Sequence, residues 1–152
     1  MLSIQSMGPG AVRYFTELAR EDYYTKGGEP QGLWLGEGPE RLGLAGAVEK
    51  EEFRNLFRGF SADGLDPLVQ GAGKTRQDGR PQHHPGWDAT FSAPKSVSVL
   101  WSQADQELRS KIQEAHLGAV KDAVAYLEYS VAYTRRGKGG QVIEQAPGLV
   151  VA

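Results

Sequence analysis

At 152 residues the chain is about one domain long, and its 39% apolar and 24% charged residues exclude wholesale disorder. The absence of cysteine excludes a disulfide framework and a thiolate metal site, and it fits a reducing cytoplasm. A net charge of −2 gives no bulk attraction to nucleic acid; no apolar run is long enough to cross a bilayer, and the start lacks a signal-peptide layout.

Leu2 and Ile4 open a first strand, ended by Gly8-Pro9-Gly10. A short helix fits residues Ala11 to Arg20, with Ala11, Phe15, Leu18 and Ala19 on one side and Tyr14 at its border. Glu29 to Pro39 reads as loops around an extended piece, Leu33-Trp34-Leu35. Glu49 to Phe60 forms an amphipathic helix with Phe53, Leu56, Phe57 and Phe60 on its apolar side and Gly59 near its end. Ser61 to Pro85 is mostly loop, the segment expected to be mobile. Trp87, Ala89 and Phe91 then alternate with Asp88, Thr90 and Ser92, which predicts a strand with one buried face and Asp88 on the other. Ser92 suits an N-cap and Pro94 the first helical position.

The strongest helical signal runs from Asp105 to Tyr129, with Leu108, Ile112, Ala115, Ala119, Ala123 and Tyr126 on one side, widened by Val120 and Leu127. Glu107 and Lys111 add an i,i+4 pair on its exposed side. A hairpin follows: a strand near Val131 to Thr134, a turn from Arg135 to Gly140 and a strand from Gln141 to Glu144. The closing Leu149-Val150-Val151-Ala152 is an apolar strand without a turn or polar tail, and it reads as a chain cut inside a buried strand, with an exposed sheet edge.

Several residues could carry chemistry. A carboxylate on the open face of a strand, Asp88, with the tyrosine clusters Tyr14-Phe15 and Tyr23-Tyr24 elsewhere, suggests a site rather than a core. A tyrosine phenolate can act as a nucleophile whose covalent ester stores the energy of the bond it breaks. Its usual pKa of about 10 requires a metal or a positive environment at neutral pH. Lys74, Arg76 and Arg80 lead into His83-His84, and Arg135-Arg136 with Lys138 sit in a glycine-rich stretch. These cations, and Lys95, read either as phosphate contacts or as solvated charge. Adjacent histidines point apart and no acidic partner stands at ligand spacing, so His83-His84 is not read as a metal pair. His116 falls in the apolar sector of the long helix and reads as a packed core histidine. Gly71-Ala72-Gly73-Lys74-Thr75 is not a phosphate-binding loop, since the motif's first glycine would fall at Leu68 and Arg76 to Pro81 cannot start a helix.

The chain resembles the N-terminal end of MobF-type conjugative relaxases of the HUH endonuclease superfamily. The likeness covers Met1-Leu2-Ser3, the tyrosine clusters, Gly36-x-Gly38 and Leu42-Gly43-Leu44-x-Gly46-x-Val48. It continues through Phe53 to Gly59, Thr90-Phe91-Ser92-Ala93-Pro94-Lys95-Ser96-Val97-Ser98 and Gly148 to Ala152. The resemblance implies an α+β fold with helices on one face of a mainly antiparallel sheet. It implies Tyr14 as primary nucleophile, Tyr23 as second-cluster nucleophile and Asp88 as the acid beside the metal histidines; Phe15 departs from the doubled tyrosine usual in the first cluster. Arg76, Lys95, Arg135 and Arg136 are the expected DNA contacts. The family nicks and religates single-stranded DNA at a plasmid transfer origin, with relaxosome proteins and a divalent metal, Mg or Mn, on a three-histidine site. His83, His84 and His116 do not occupy those positions. The chain is therefore expected to be the N-terminal portion of one catalytic domain, cytoplasmic, off the membrane, and inactive and metal-free alone. A non-catalytic remnant or a DNA- or partner-binding module is the alternative.

Overall fold

A computed structural model describes residues 1–8, 11 and 32–152. In chain order their elements are β1 (Leu2–Ser6), α1 (Gly38–Arg41), α2 (Lys50–Phe57), β2 (Trp87–Phe91), α3 (Lys95–Gln103), α4 (Gln106–Val131), β3 (Tyr133–Arg136) and β4 (Val142–Gln145). The architecture is α+β, and among the described residues the strands pair as β1–β2 and β3–β4. The described residues fall into two compact units. Met1–Ser3, Leu35–Gly38 and Ala89–Val151 form the first; the second takes Pro39–Asp88, Ala152 and the described residues of Ile4–Trp34.

In the first unit α3 packs on α4. Asp105 caps α4, its Oδ1 accepting the Leu108 N–H at 2.9 Å. Arg109 reaches back, donating from Nε and Nη2 to the carbonyls of Trp101 and Ser102 at 3.1 and 3.0 Å. It thereby satisfies acceptors that the end of α3 leaves open. Glu107 and Lys111 do form the expected pair, at 2.6 Å. The buried face of α4 differs from the expected one. Val124 is buried and Ile112, His116, Leu117, Val120 and Leu127 are half-buried, whereas Leu108, Ala115, Ala119 and Tyr126 are exposed. Apolar residues occupy a sector wide enough to permit either orientation, and α3 selects one.

The hairpin also shifts from its expected bounds. The helix runs on to Val131, and Arg135 and Arg136 lie in β3, opposite Ile143 and Val142, rather than in the turn. Gly137, Gly139 and Gly140 take φ of +78°, +74° and +65°, so the reversal falls between Gly137 and Gln141 and both arginines are released to the strand.

A single side chain ties the rest of this unit together. Glu128 Oε1, near the end of α4, accepts the Glu37 N–H at 2.7 Å and the Leu149 N–H at 2.8 Å. Leu35 and Val151 bridge as an antiparallel pair beside it, and the Gly38 N–H donates to the Leu149 carbonyl at 3.0 Å. The approach is too close for side chains: a Cβ on Gly38 would lie 2.5 Å from the Leu149 carbonyl oxygen, and one on Gly148 would lie 2.6 Å from the Gly38 nitrogen.

In the second unit Trp34, Leu44 and Phe57 are the buried apolar residues among those described. The Trp34 indole donates to Glu52 at 3.3 Å. Helix α2 stops at Phe57, so Phe60 lies beyond it rather than on its apolar side. The stop is a Schellman arrangement: Phe60 N–H to Asn55 carbonyl, Gly59 N–H to Leu56 carbonyl, with Gly59 at φ +86°. The 61–85 stretch is a loop, as expected, and is laced by local bonds. Ser61 Oγ donates to Asp63 Oδ1 at 2.5 Å and accepts the Asp66 N–H at 2.9 Å.

Two expectations around β2 are corrected. Trp87 and Ala89 are exposed, while Asp88 and Phe91 are both half-buried. Alternation decides the side to which a residue points, but burial needs a second layer over that side. Ser92 does not cap α3: the cap position is Pro94, without a side-chain bond, and the helix starts at Lys95. The Ser92 backbone instead continues the strand pairing, its N–H donating to the Met1 carbonyl at 2.8 Å.

Glu128→Ala strands two backbone donors and should lower unfolding free energy by about 1–3 kcal/mol, measured in urea; Glu128→Gln keeps an acceptor oxygen and should lose less. The Ser61 hydroxyl, with the Leu65 N–H, holds the fully exposed Asp63 carboxyl below the usual carboxylate range. Its small stabilisation is therefore present at neutral pH and fades as pH falls through the lowered value. Carboxyl titration by NMR should show Asp63 moving up toward its ordinary value in Ser61→Ala.

Candidate functional site

Asp88, the expected acid, sits half-buried on β2 in the second unit. Nearby in the same unit, Ser6 Oγ and His84 Nε2 are hydrogen-bonded at 2.8 Å, and the His84 ring lies 4.7 Å from the Trp87 ring, tilted by 35°. His83 turns to a different partner. Its Nε2 donates to the Phe57 carbonyl at 3.0 Å, at the C-terminal end of α2, and its Nδ1 is buried without a partner among the described residues. Each histidine of the pair is thus engaged separately, and among the described residues no group of three or more His, Cys, Asp or Glu side chains gathers at a metal distance. The residues described do not by themselves fit a divalent cation.

Arg76 lies in the same unit, at the tip of a short hairpin. The Gly79 N–H donates to the Arg76 carbonyl at 3.0 Å, Arg76 and Arg80 are joined through their backbones at 2.7 Å, and Thr75 bridges Pro81. Asp78 steadies the turn by accepting the Arg80 N–H at 3.0 Å. No helix follows Thr75, so Gly71–Thr75 is not a phosphate-binding loop. Lys95, exposed at the first position of α3, and Arg135 and Arg136, exposed on β3, belong to the first unit. Arg136 Nε lies 3.3 Å from Glu144 Oε2 across the hairpin. Tyr14 and Tyr23, with Phe15 and Tyr24, lie outside the described residues.

Sequence reasoning missed the Ser6–His84–Trp87 grouping, which is assembled from β1, β2 and the loop before β2, with Ser6 far from the other two in the chain. The signal available was the proximity of His84 to an aromatic three residues on, in a segment rich in glycine and proline. It also passed over Glu128, whose signal was its place four residues after Val124 on the packed side of α4.

The TrwC relaxase family model matches residues 9–152. Two curated relatives named multifunctional conjugation protein TraI, from Escherichia coli and its K12 strain, are 37% and 38% identical over 139 and 138 residues. Each alignment takes in 91% of this chain and 7% of the relative. Among solved structures, the conjugative relaxase TrwC in complex with OriT DNA is similar in its metal-free form, with a TM-score of 0.72 and 32% identity. Its metal-bound form gives 0.71 and 32%, and both cover 99% of this chain and 48% of that one. The chain thus spans about half the length of the solved relatives and a small part of the curated ones. It belongs to the TrwC relaxase family.

His83→Ala removes the ring that satisfies the Phe57 carbonyl and should destabilise by about 1–3 kcal/mol. His84→Ala, at an exposed ring, should stay within about 0.5 kcal/mol of wild type. Parallel urea denaturation separates the two.

Proposed function

We propose that this member of the TrwC relaxase family is the N-terminal portion of a catalytic domain that nicks and religates single-stranded DNA at a plasmid transfer origin. The observation that carries the reading is the family match over residues 9–152. It is supported by neighbours described as complexes with OriT DNA and by curated relatives named conjugation proteins. The Tyr14 phenolate attacks the scissile phosphorus, forms a phosphotyrosine ester and releases the 3′ hydroxyl; attack by a 3′ hydroxyl on that ester reverses the step. Tyr23 is the second-cluster nucleophile. Asp88, carboxylate-bearing and half-buried, accepts a proton from the phenol or orients an imidazole. Arg76, Lys95, Arg135 and Arg136 are exposed cations suited to backbone phosphates.

The metal belongs to this reading through relatives described as metal-bound and copper-bound. A divalent ion held by a three-histidine site of the kind the resemblance implies would supply charge neutralisation at the phosphate. Because His83, His84 and His116 do not occupy the positions of that site, we infer that the 152 residues alone are inactive and depend on ligands from elsewhere. The proposed setting is the cytoplasm, with relaxosome proteins as partners; no helix among the described residues is long and apolar enough to cross a membrane.

The test grafts these residues in place of the matching half of a solved relative. With Mn²⁺ or Mg²⁺ and a transfer-origin strand, the chimera should give a covalent protein–DNA adduct on denaturing gels, and Tyr14→Phe should abolish it. The 152-residue chain alone should give none. An adduct that survives Tyr14→Phe would reassign the nucleophile, and a chimera inert on every strand would favour a non-catalytic remnant.

A further inference from the structure

We infer that Trp87 and His84 form a stacking step for a nucleobase of single-stranded DNA, a contact separate from the phosphate-binding cations. Trp87 is 63% exposed although it is a large apolar ring. It is not left loose: His84 lies 4.7 Å from it, and Ser6 pins the imidazole through a 2.8 Å hydrogen bond from a different strand. Exposed rings held in a fixed relative geometry gain little for the fold, since the burial that would make the contact stabilising is missing. They do suit a third ring, because a stacking platform costs less to use when its members are already ordered.

The stretch that delivers these rings also decides the class of occupant. Lys74, Arg76 and Arg80 stand against one carboxylate, Asp78, in the hairpin that leads into His83-His84. The base of that hairpin is closed by the Gln82 N–H on the Lys74 carbonyl at 2.9 Å, two residues before His84. Cations that follow a backbone, interleaved with aromatics that take bases, are the combination by which proteins hold single strands without reading their sequence. A duplex would not do, because its bases are already stacked. A peptide partner would use the rings but has no need of the cations.

The inference rests on the relaxase reading for its ligand, and its test separates the two. Fluorescence anisotropy on the 152-residue chain uses labelled oligo-dT of about 10 nucleotides and an abasic deoxyribose-phosphate strand of the same length. Trp87→Ala should weaken oligo-dT binding by between about 5- and 150-fold, the range for one stacked base, and leave the abasic strand unchanged. Trp87→Phe, which keeps a ring, should retain most of the affinity. Arg76→Ala should weaken both strands alike and lower the salt slope by about 1. Equal loss on both strands for Trp87→Ala overturns stacking in favour of an effect on the fold. No loss on either, with Arg76→Ala still weakening both, overturns stacking and leaves the DNA reading standing. A wild-type chain that binds neither strand at low salt removes both.

Discussion

The first unit depends on one carboxylate. Glu128 stands near the end of a 26-residue helix, and its Oε1 takes backbone donors from residues 91 and 21 positions away. A charged acceptor holding two N–H groups makes stronger bonds than neutral pairs do, and here the bonds substitute for sheet partners at Glu37 and Leu149. The close approach then sets the local sequence. With the Leu149 carbonyl 2.5 Å from where a Gly38 Cβ would sit, only hydrogen fits, and the same holds at Gly148. Gly36-x-Gly38 is therefore a packing motif. Its glycines are demanded by a neighbouring backbone.

The second unit is organised on a different principle. Its described core is three residues, so much of its order is written in polar bonds between side chains and backbone. His83 closes the C-terminal end of α2, Asn55 Nδ2 donates to the Ala62 carbonyl at 2.8 Å, and Ser61 and Asp63 knit the next turn. Loops fixed this way can carry exposed functional groups, because local bonding rather than burial positions them. The basic hairpin is fixed in this way, whereas the Trp87–His84 pair is pinned from β1 by Ser6.

Much of this was legible in the chain. The first strand, the extended Leu33–Leu35 piece, the α2 helix, the absence of a phosphate loop and the long C-terminal helix all follow from local pattern and capping chemistry. What was not legible depended on partners remote in sequence. The α4 face could not be chosen, because apolar residues surround much of the helix and α3 makes the choice. Asp88 was found as a candidate because alternation is local; its half-burial and the exposure of Trp87 were not, because layers are tertiary. The hairpin turn was placed too early because Arg135-Arg136 look like turn residues, whereas the glycines after them absorb the reversal.

The motifs that mark the family likeness turn out to meet one another in space. Met1 pairs with Ser92 at the edge of the Thr90–Ser98 run, and Gly36-x-Gly38 meets Gly148-Leu149. Each meeting is made through backbone atoms. These signatures are hence the requirements of a shared scaffold, which explains how a chain about one-third identical to its solved relatives keeps their fold. None of these backbone meetings involves Asp88, the carboxylate proposed for chemistry. Likeness in the glycines and in the Ser92–Pro94 connection therefore argues for the fold, and the reaction has to be argued from the phenols and the carboxylate themselves.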